Sequence, residues 1–300
     1  QTQQRHIFPK EIHLINNHSL TKKKVLAFFA SDGRLFFMIP MGNKTCIGTT
    51  DEIIKTPKAT VTDGDRKFIL DNANRLLDLS QTLTTDDIIS ERCGVRPLIH
   101  EQHTKGNKQI NSFDISRKHI VESCPETKSI HLFGGKLTSC ISLGEQVRKE
   151  VRAMGISASK EITSWCGESD QRLYGKYVHR VQQINLDDHT PVHASEFISE
   201  RLWRRYGKYA FDMLSKMNND WSLAKELIPG SEYYRIELEH AANYEMITHL
   251  DDFLRRRSNI ALTVRPEEYM KEDILLDISS TLFGANAQKK IDEFLERPNT

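Results

Sequence analysis

Apolar residues in the first half of the chain come in short strand-like runs, and in the second half they recur at the three-to-four spacing of helices. Val25 to Ala30 and Leu35 to Ile39 are aromatic-rich runs joined through Ser31-Asp32-Gly33-Arg34. An Asp-Gly between two such runs predicts a hairpin. Thr45-Cys46-Ile47 adds a short run that leads into Gly48-Thr49-Thr50-Asp51. After Pro57, Thr62-Asp63-Gly64-Asp65 has the form of a capping box with aspartate where glutamate is usual, and Phe68, Ile69, Ala73, Leu76 and Leu77 follow on one helical face. Ile88-Ile89 opens a strand that ends at Cys93-Gly94-Val95-Arg96-Pro97-Leu98. Two more are expected at His119-Ile120-Val121 and Ser129 to Phe133, the last running into Gly134-Gly135 and a helix from Leu137 to about Met154.

Gly155-Ile156-Ser157-Ala158-Ser159 reads as a linker, and strand signals stop there. From about Glu168 the pattern is helical. Phe197, Ile198, Leu202 and Trp203 form one stripe. Leu238, Ala242, Met246, Leu250 and Leu254 form another at a spacing of four, on a predicted helix that carries Glu237, Glu239 and Glu245 early and Arg255-Arg256-Arg257 at its end. That charge order suits the helix dipole, so the arginine run reads as a C-terminal cap. The expected architecture is a mixed α+β fold, with a sheet-containing domain over residues 1–155 and an all-helical domain over 162–300.

Composition narrows the function classes. Lys and Arg number 42 against 41 Asp and Glu, so no net field draws the chain to nucleic acid or an anionic membrane. The bases Arg201, Arg204, Arg205 and Arg255 to Arg257 are interleaved with acids, which weakens a nucleic-acid reading further. Cys46, Cys93, Cys124, Cys140 and Cys166 are odd in number, widely spaced and never in a C-x-x-C pair. They argue against a disulfide framework and a metal site and fit a reduced, cytoplasmic setting. No apolar run is long enough to span a bilayer.

Two local features carry chemistry. Glycines between a strand and a helix let another group approach the backbone and aim N–H groups at it, with Lys136 adding a charge, although glycines also turn corners for steric reasons alone. Arg96 lies between Val95 and Pro97, where the proline biases it toward extended backbone and a stiff presentation of its guanidinium fork; Arg117 begins the following strand. Either arginine also fits a solvated surface. No Gly-x-Gly occurs among the fifteen glycines, so the dinucleotide fingerprint is absent and any nucleotide cofactor would draw most of its site from other chain.

In order and spacing, Phe37-Met38-Ile39-Pro40, Ile47-Gly48-Thr49-Thr50-Asp51, Gly94-Val95-Arg96-Pro97-Leu98, Ile115-Ser116-Arg117-Lys118-His119-Ile120-Val121 and Phe133-Gly134-Gly135-Lys136-Leu137-Thr138 resemble the C-terminal half of the FAD-dependent, aerobic-type glycerol-3-phosphate dehydrogenases. Arg205-Tyr206-Gly207 and Glu239 through Asp252-Phe253-Leu254-Arg255-Arg256-Arg257 extend the resemblance over nearly the whole chain.

The resemblance implies that residues 1–155 are a substrate-cap and FAD-closing domain, and that an N-terminal FAD-binding half supplies the remainder. It implies that sn-glycerol 3-phosphate is oxidised to dihydroxyacetone phosphate, with hydride passed to FAD and electrons to quinone, and that this piece alone is inactive. Gly134, Gly135, Lys136, Leu137 and Thr138 would close over the flavin. Arg96, Arg117 and Lys136 would hold the substrate phosphate, and His13 would take or polarise the C2 hydroxyl proton. Peripheral contact with the inner face of the cytoplasmic membrane and a homodimer are compatible with the family. The chain departs from the pattern at Thr138-Ser139-Cys140-Ile141, where the family has Thr-Thr-Tyr-Arg, and at Glu11-Ile12, where it has glycine and a small hydroxyl residue. An oxidase that passes electrons to oxygen, or a phosphate-binding module without redox chemistry, are the alternatives.

Overall fold

A computed structural model describes residues 4–96, 98–101, 118–156 and 170–296. The sheet is built on β1 (Gln4–Asn16), followed by β2 (Leu26–Phe29), β3 (Leu35–Met41), β4 (Lys44–Gly48) and β5 (Glu52–Ile54). After helix α1 (Asp63–Leu76) come β6 (Ile88–Val95) and β7 (Leu98–Glu101), then β8 (His119–Cys124), β9 (Ser129–Gly134) and α2 (Cys140–Ala153). The strand order is β2-β3-β4-β1-β5, with β6 and β7 also pairing with β1, while β8 and β9 form a separate two-stranded sheet. The remainder is helical: α3 (Gln171–Gln183), α4 (Ile198–Tyr206), α5 (Ala210–Asn219), α6 (Arg235–Tyr244), a π-helical turn Asp252–Arg257, α7 (Ile260–Thr263), α8 (Pro266–Tyr269), α9 (Glu272–Phe283) and α10 (Ala287–Leu295). This is the α+β order expected, a sheet-containing region followed by helices.

The chain forms two compact units, one of residues 1–13, 49–68 and 92–166, the other of 14–48, 69–91 and 167–300. In the first, β1 pairs antiparallel with β5 (Phe8 opposite Ile54) and with β7 (Ile7 opposite Leu98). Lys10 is buried in the strand, and its ammonium reaches Asp65 at 3.0 Å and Glu52 at 2.9 Å. The Asp65 carboxylate also accepts from the Thr62 backbone N–H at 2.9 Å, while the Asp65 N–H donates to the Thr62 hydroxyl at 3.2 Å. The capping box read from the sequence is formed, and it doubles as the partner of a buried cation. β1 itself is not signalled as a strand: Lys10 is polar yet inward, and Pro9 interrupts the alternation.

In the second unit the Asp-Gly hairpin forms as predicted, with the Ala30 N–H donating to the Arg34 carbonyl at 2.9 Å and Gly33 at φ +85°. β3 and β4 join through Gly42-Asn43, with Met41 opposite Lys44. Ile15 and Cys46 of this sheet pack with Leu262 of α7, so strand and helix residues share one core. Two larger clusters organise the helices, one around Leu238, Leu250, Phe253, Leu254 and Ile278, the other around Tyr177, Leu202, Leu214 and Tyr234.

Two predicted stripes are corrected. Phe197 stands at the N-cap of α4 and is 54% exposed, while Ile198 and Leu202 are buried. The helix expected through Leu238 to Leu254 is broken: α6 ends at Tyr244, Met246 takes a left-handed φ of +54° and is 88% exposed, and a new helix starts before the π-turn. Asp252 causes the restart by accepting from the Thr248 and His249 backbone N–H groups at 3.0 and 2.8 Å. The arginine run therefore ends a separate turn. No described helix is long and apolar enough to cross a membrane, and no described group of acidic, histidine or cysteine residues has metal-binding geometry.

Candidate functional site

Strand period two decides which side chains meet on β1. Lys10 and Ile12 are buried on one face; Glu11 and His13 lie on the other. There the Arg96 Nη2 meets the Glu11 Oε2 at 2.6 Å, and the Arg96 backbone N–H donates to the Pro9 carbonyl at 3.0 Å, which fixes the arginine's root against β1. Arg92 lies on β6 and Arg96 directly follows its end at Val95, and the charges of both reach His13.

The electrostatics act on His13. Burial, then the charges of Arg92 and Arg96, push its pKa down to about 4. At neutral pH the imidazole is therefore uncharged, in the field of two guanidiniums that favours an anion. A shallow cleft of about 290 Å³ lined by Phe8, Pro57, Ala59, Cys93, Gly94 and Val95 adjoins the same strand.

The glycine turn forms at the strand to helix junction. Gly134 and Gly135 hold φ of +60° and +93°, and a Cβ on them would stand 3.3 Å from Ile99 Cδ1 and 3.1 Å from His119 Cβ. Glycine is thus required for backbone conformation and for close approach at once. Lys136 opens a 3₁₀ turn, Leu137–Ser139, in which the Ser139 hydroxyl donates to the Lys136 carbonyl at 2.8 Å, and α2 continues from Cys140. The residues from Gly134 to Thr138 are exposed, Leu137 by 89%.

Of the predicted site residues, the structure brings His13 and Arg96 together. Gly134, Gly135, Lys136, Leu137 and Thr138 form one exposed turn. Arg117 lies outside the described residues. Arg92 was missed, because its nearness to His13 depends on how β1 and β6 pair. Glu11, seen in the sequence as a departure, is Arg96's ion partner. A larger cavity of about 730 Å³ in the second unit contains none of these residues. Its arginines have carboxylate partners: Arg201 and Arg205 at Glu237, Arg204 at Glu196.

A family model described as the C-terminal domain of alpha-glycerophosphate oxidase matches residues 125–289, more than half of the chain. The chain belongs to that family. It is 27% identical over 294 residues to the aerobic glycerol-3-phosphate dehydrogenase of Bacillus subtilis, covering 94% of this chain and 51% of that protein. It is 26% identical over 246 residues to the mitochondrial glycerol-3-phosphate dehydrogenase of Rattus norvegicus, covering 79% and 32%. The crystal structure of the glycerol-3-phosphate dehydrogenase from Bacillus halodurans complexed with FAD superposes with a TM-score of 0.69, at 22% identity, over 98% of this chain and 57% of that one. That likeness establishes a shared fold. The chain spans about a third to a half of the length of the curated relatives it matches.

Proposed function

We propose that this chain forms the substrate-binding and flavin-closing part of an FAD-dependent glycerol-3-phosphate dehydrogenase, which oxidises sn-glycerol 3-phosphate to dihydroxyacetone phosphate and passes electrons to quinone. The observation that carries the reading is an uncharged His13 in the field of Arg92 and Arg96, an imidazole next to an anion-attracting pair. In this reading residues 1–155 act as the cap and 162–300 as a helical accessory domain, although the compact units draw 14–48 and 69–91 together with the helices.

Arg96 binds the substrate phosphate with Arg117 and Lys136, and Arg92 adds to the field. The His13 imidazole takes the C2 hydroxyl proton as the C2 hydride departs. FAD, when bound, supplies the hydride acceptor. The residues of this chain fit such a cofactor at the glycine turn: Gly134 and Gly135 expose backbone there with no side chain to bar approach, Leu137 and Thr138 open a helix whose first N–H groups lack intrahelical acceptors, and Lys136 adds positive charge. Electron transfer to a quinone implies peripheral membrane contact.

The description of the matched family as an oxidase favours a second reading, in which oxygen accepts the electrons. Both are tested in an enzyme assembled from this chain and an FAD-binding half. Anaerobic glycerol 3-phosphate should bleach the flavin, and readmitted quinone should restore it faster than oxygen does. Restoration chiefly by oxygen selects the oxidase, and no bleaching refutes both.

A further inference from the structure

The ion pair on Arg96 bears on which ligands this site accepts, and the inference rests on the phosphate subsite proposed above. Glu11 is 11% exposed in its side chain and Arg96 44%, so the carboxylate is the better buried partner and meets the guanidinium within the fold, at 2.6 Å. It leaves the same face of β1 as His13. A carboxylate offers a guanidinium fork the same planar pair of oxygens that a phosphate offers. The Arg96 Nη2 that Glu11 engages is therefore a donor a phosphate would need.

Charge points the same way. Next to His13, Arg92 and Arg96 are positive and Glu11 is negative, so Glu11 cancels part of the field that a phosphate would meet there. We propose that Glu11 is a specificity-determining residue, an internal carboxylate that holds the Arg96 fork and penalises dianionic phosphate ligands relative to uncharged polyols of the same shape. A phosphorylated ligand must displace Glu11 from Arg96 or share the guanidinium with it.

The test is calorimetric titration of the 300-residue chain with glycerol 3-phosphate, inorganic phosphate and glycerol, for the unaltered protein, Glu11→Gln, Arg96→Gln and the double variant. Glu11→Gln should tighten glycerol 3-phosphate and inorganic phosphate by about tenfold or more, the scale of one charge-assisted contact, and leave glycerol unchanged. The gain should vanish when Arg96→Gln is added. Should Glu11→Gln fail to fold, as judged by its melting temperature, Glu11→Asp keeps the charge but withdraws it by a methylene, and a gain in phosphate affinity is again expected. If the Glu11 variant that folds binds glycerol 3-phosphate no more tightly while Arg96→Gln abolishes binding, the role of Glu11 is overturned and the phosphate subsite stands. If glycerol 3-phosphate binds to no variant, or binds regardless of Arg96, both fall.

Discussion

At the scale of single residues, His13 ties chemistry to stability. Its pKa of about 4 lies below the 6.5 of a free imidazole, so the unfolded chain binds this proton more readily than the folded one. Folding stability is then fully present above pH 6.5 and is lost as pH falls from 6.5 to 4. Each tenfold change in proton affinity is worth about 1.4 kcal/mol, and because the ring is only partly buried, solvent screens part of it. Urea melts at pH 7 and pH 4.5 should differ by on the order of 1 to 2 kcal/mol from this residue, and His13→Gln should shrink the difference by that amount, leaving what His240, whose pKa burial also lowers, contributes with the same sign. Asp65 does not confuse the measurement, since a carboxyl whose pKa lies below 3.8 loses its contribution only under more acid conditions. An unchanged pH dependence in His13→Gln would refute the assignment. Arg96 is the complementary probe: in an assembled enzyme, Arg96→Ala should raise KM for glycerol 3-phosphate by about ten- to a hundredfold, the cost of about 1.5 to 3 kcal/mol for one charge-assisted contact, and leave glycerol unaffected. Equal losses for both substrates would rule out a phosphate role.

At the scale of elements, a buried charge network joins α4 and α6 beside their shared apolar core. Glu237, 1% exposed, accepts from the Arg201 Nε at 3.0 Å, the Tyr206 hydroxyl at 3.0 Å and the Tyr234 backbone N–H at 3.0 Å, and pairs with the Arg205 Nε at 3.2 Å. Both guanidiniums stack over Tyr233, at 4.3 and 4.9 Å from its ring centre. Removing the carboxylate leaves Arg201, itself buried, short of its counter-charge, so Glu237→Gln should destabilise the chain by about 3 to 5 kcal/mol in denaturant melts. A loss below about 1 kcal/mol would mean that water or Glu196 already satisfies these arginines. The same network explains a limit of sequence reading. Arg205-Tyr206-Gly207 and the later arginine run were visible as motifs, but nothing along the chain tells a buried Arg201 from a solvated one. Hairpins and caps were legible because turn residues and Thr62 act on neighbours in the chain. β1 was not, because the inward Lys10 becomes tolerable only through Asp65, fifty-five positions away. The break after Tyr244 was hidden by a spacing of four that runs on through the exposed Met246.

At the scale of the molecule, what matters is which part of a flavin site this chain can build alone. Gly134-Gly135 and the turn from Lys136 to Ser139 form an exposed surface, with Ile99 and His119 in close approach to the glycines. The turn was legible in the sequence because two adjacent glycines after a strand have few other uses; the pairing of His13 with Arg92 was not, because it depends on strand register. Pyrophosphate needs a cradle of backbone N–H groups in a glycine-rich loop at a helix N-terminus, and no Gly-x-Gly occurs in the chain. An exposed turn offering a few N–H groups and one lysine gives too little surface to repay the immobilisation of a large dinucleotide. Purified alone, the chain should therefore be colourless and show no dehydrogenase turnover, with added FAD binding no better than free riboflavin in equilibrium dialysis. Mixed with an FAD-binding half, it should acquire the yellow absorbance, and Gly135→Ala should reduce that gain by forcing His119 aside. A yellow preparation of the chain alone with one flavin per molecule would show that the closing surface suffices, and the division of labour proposed for the two halves would fail.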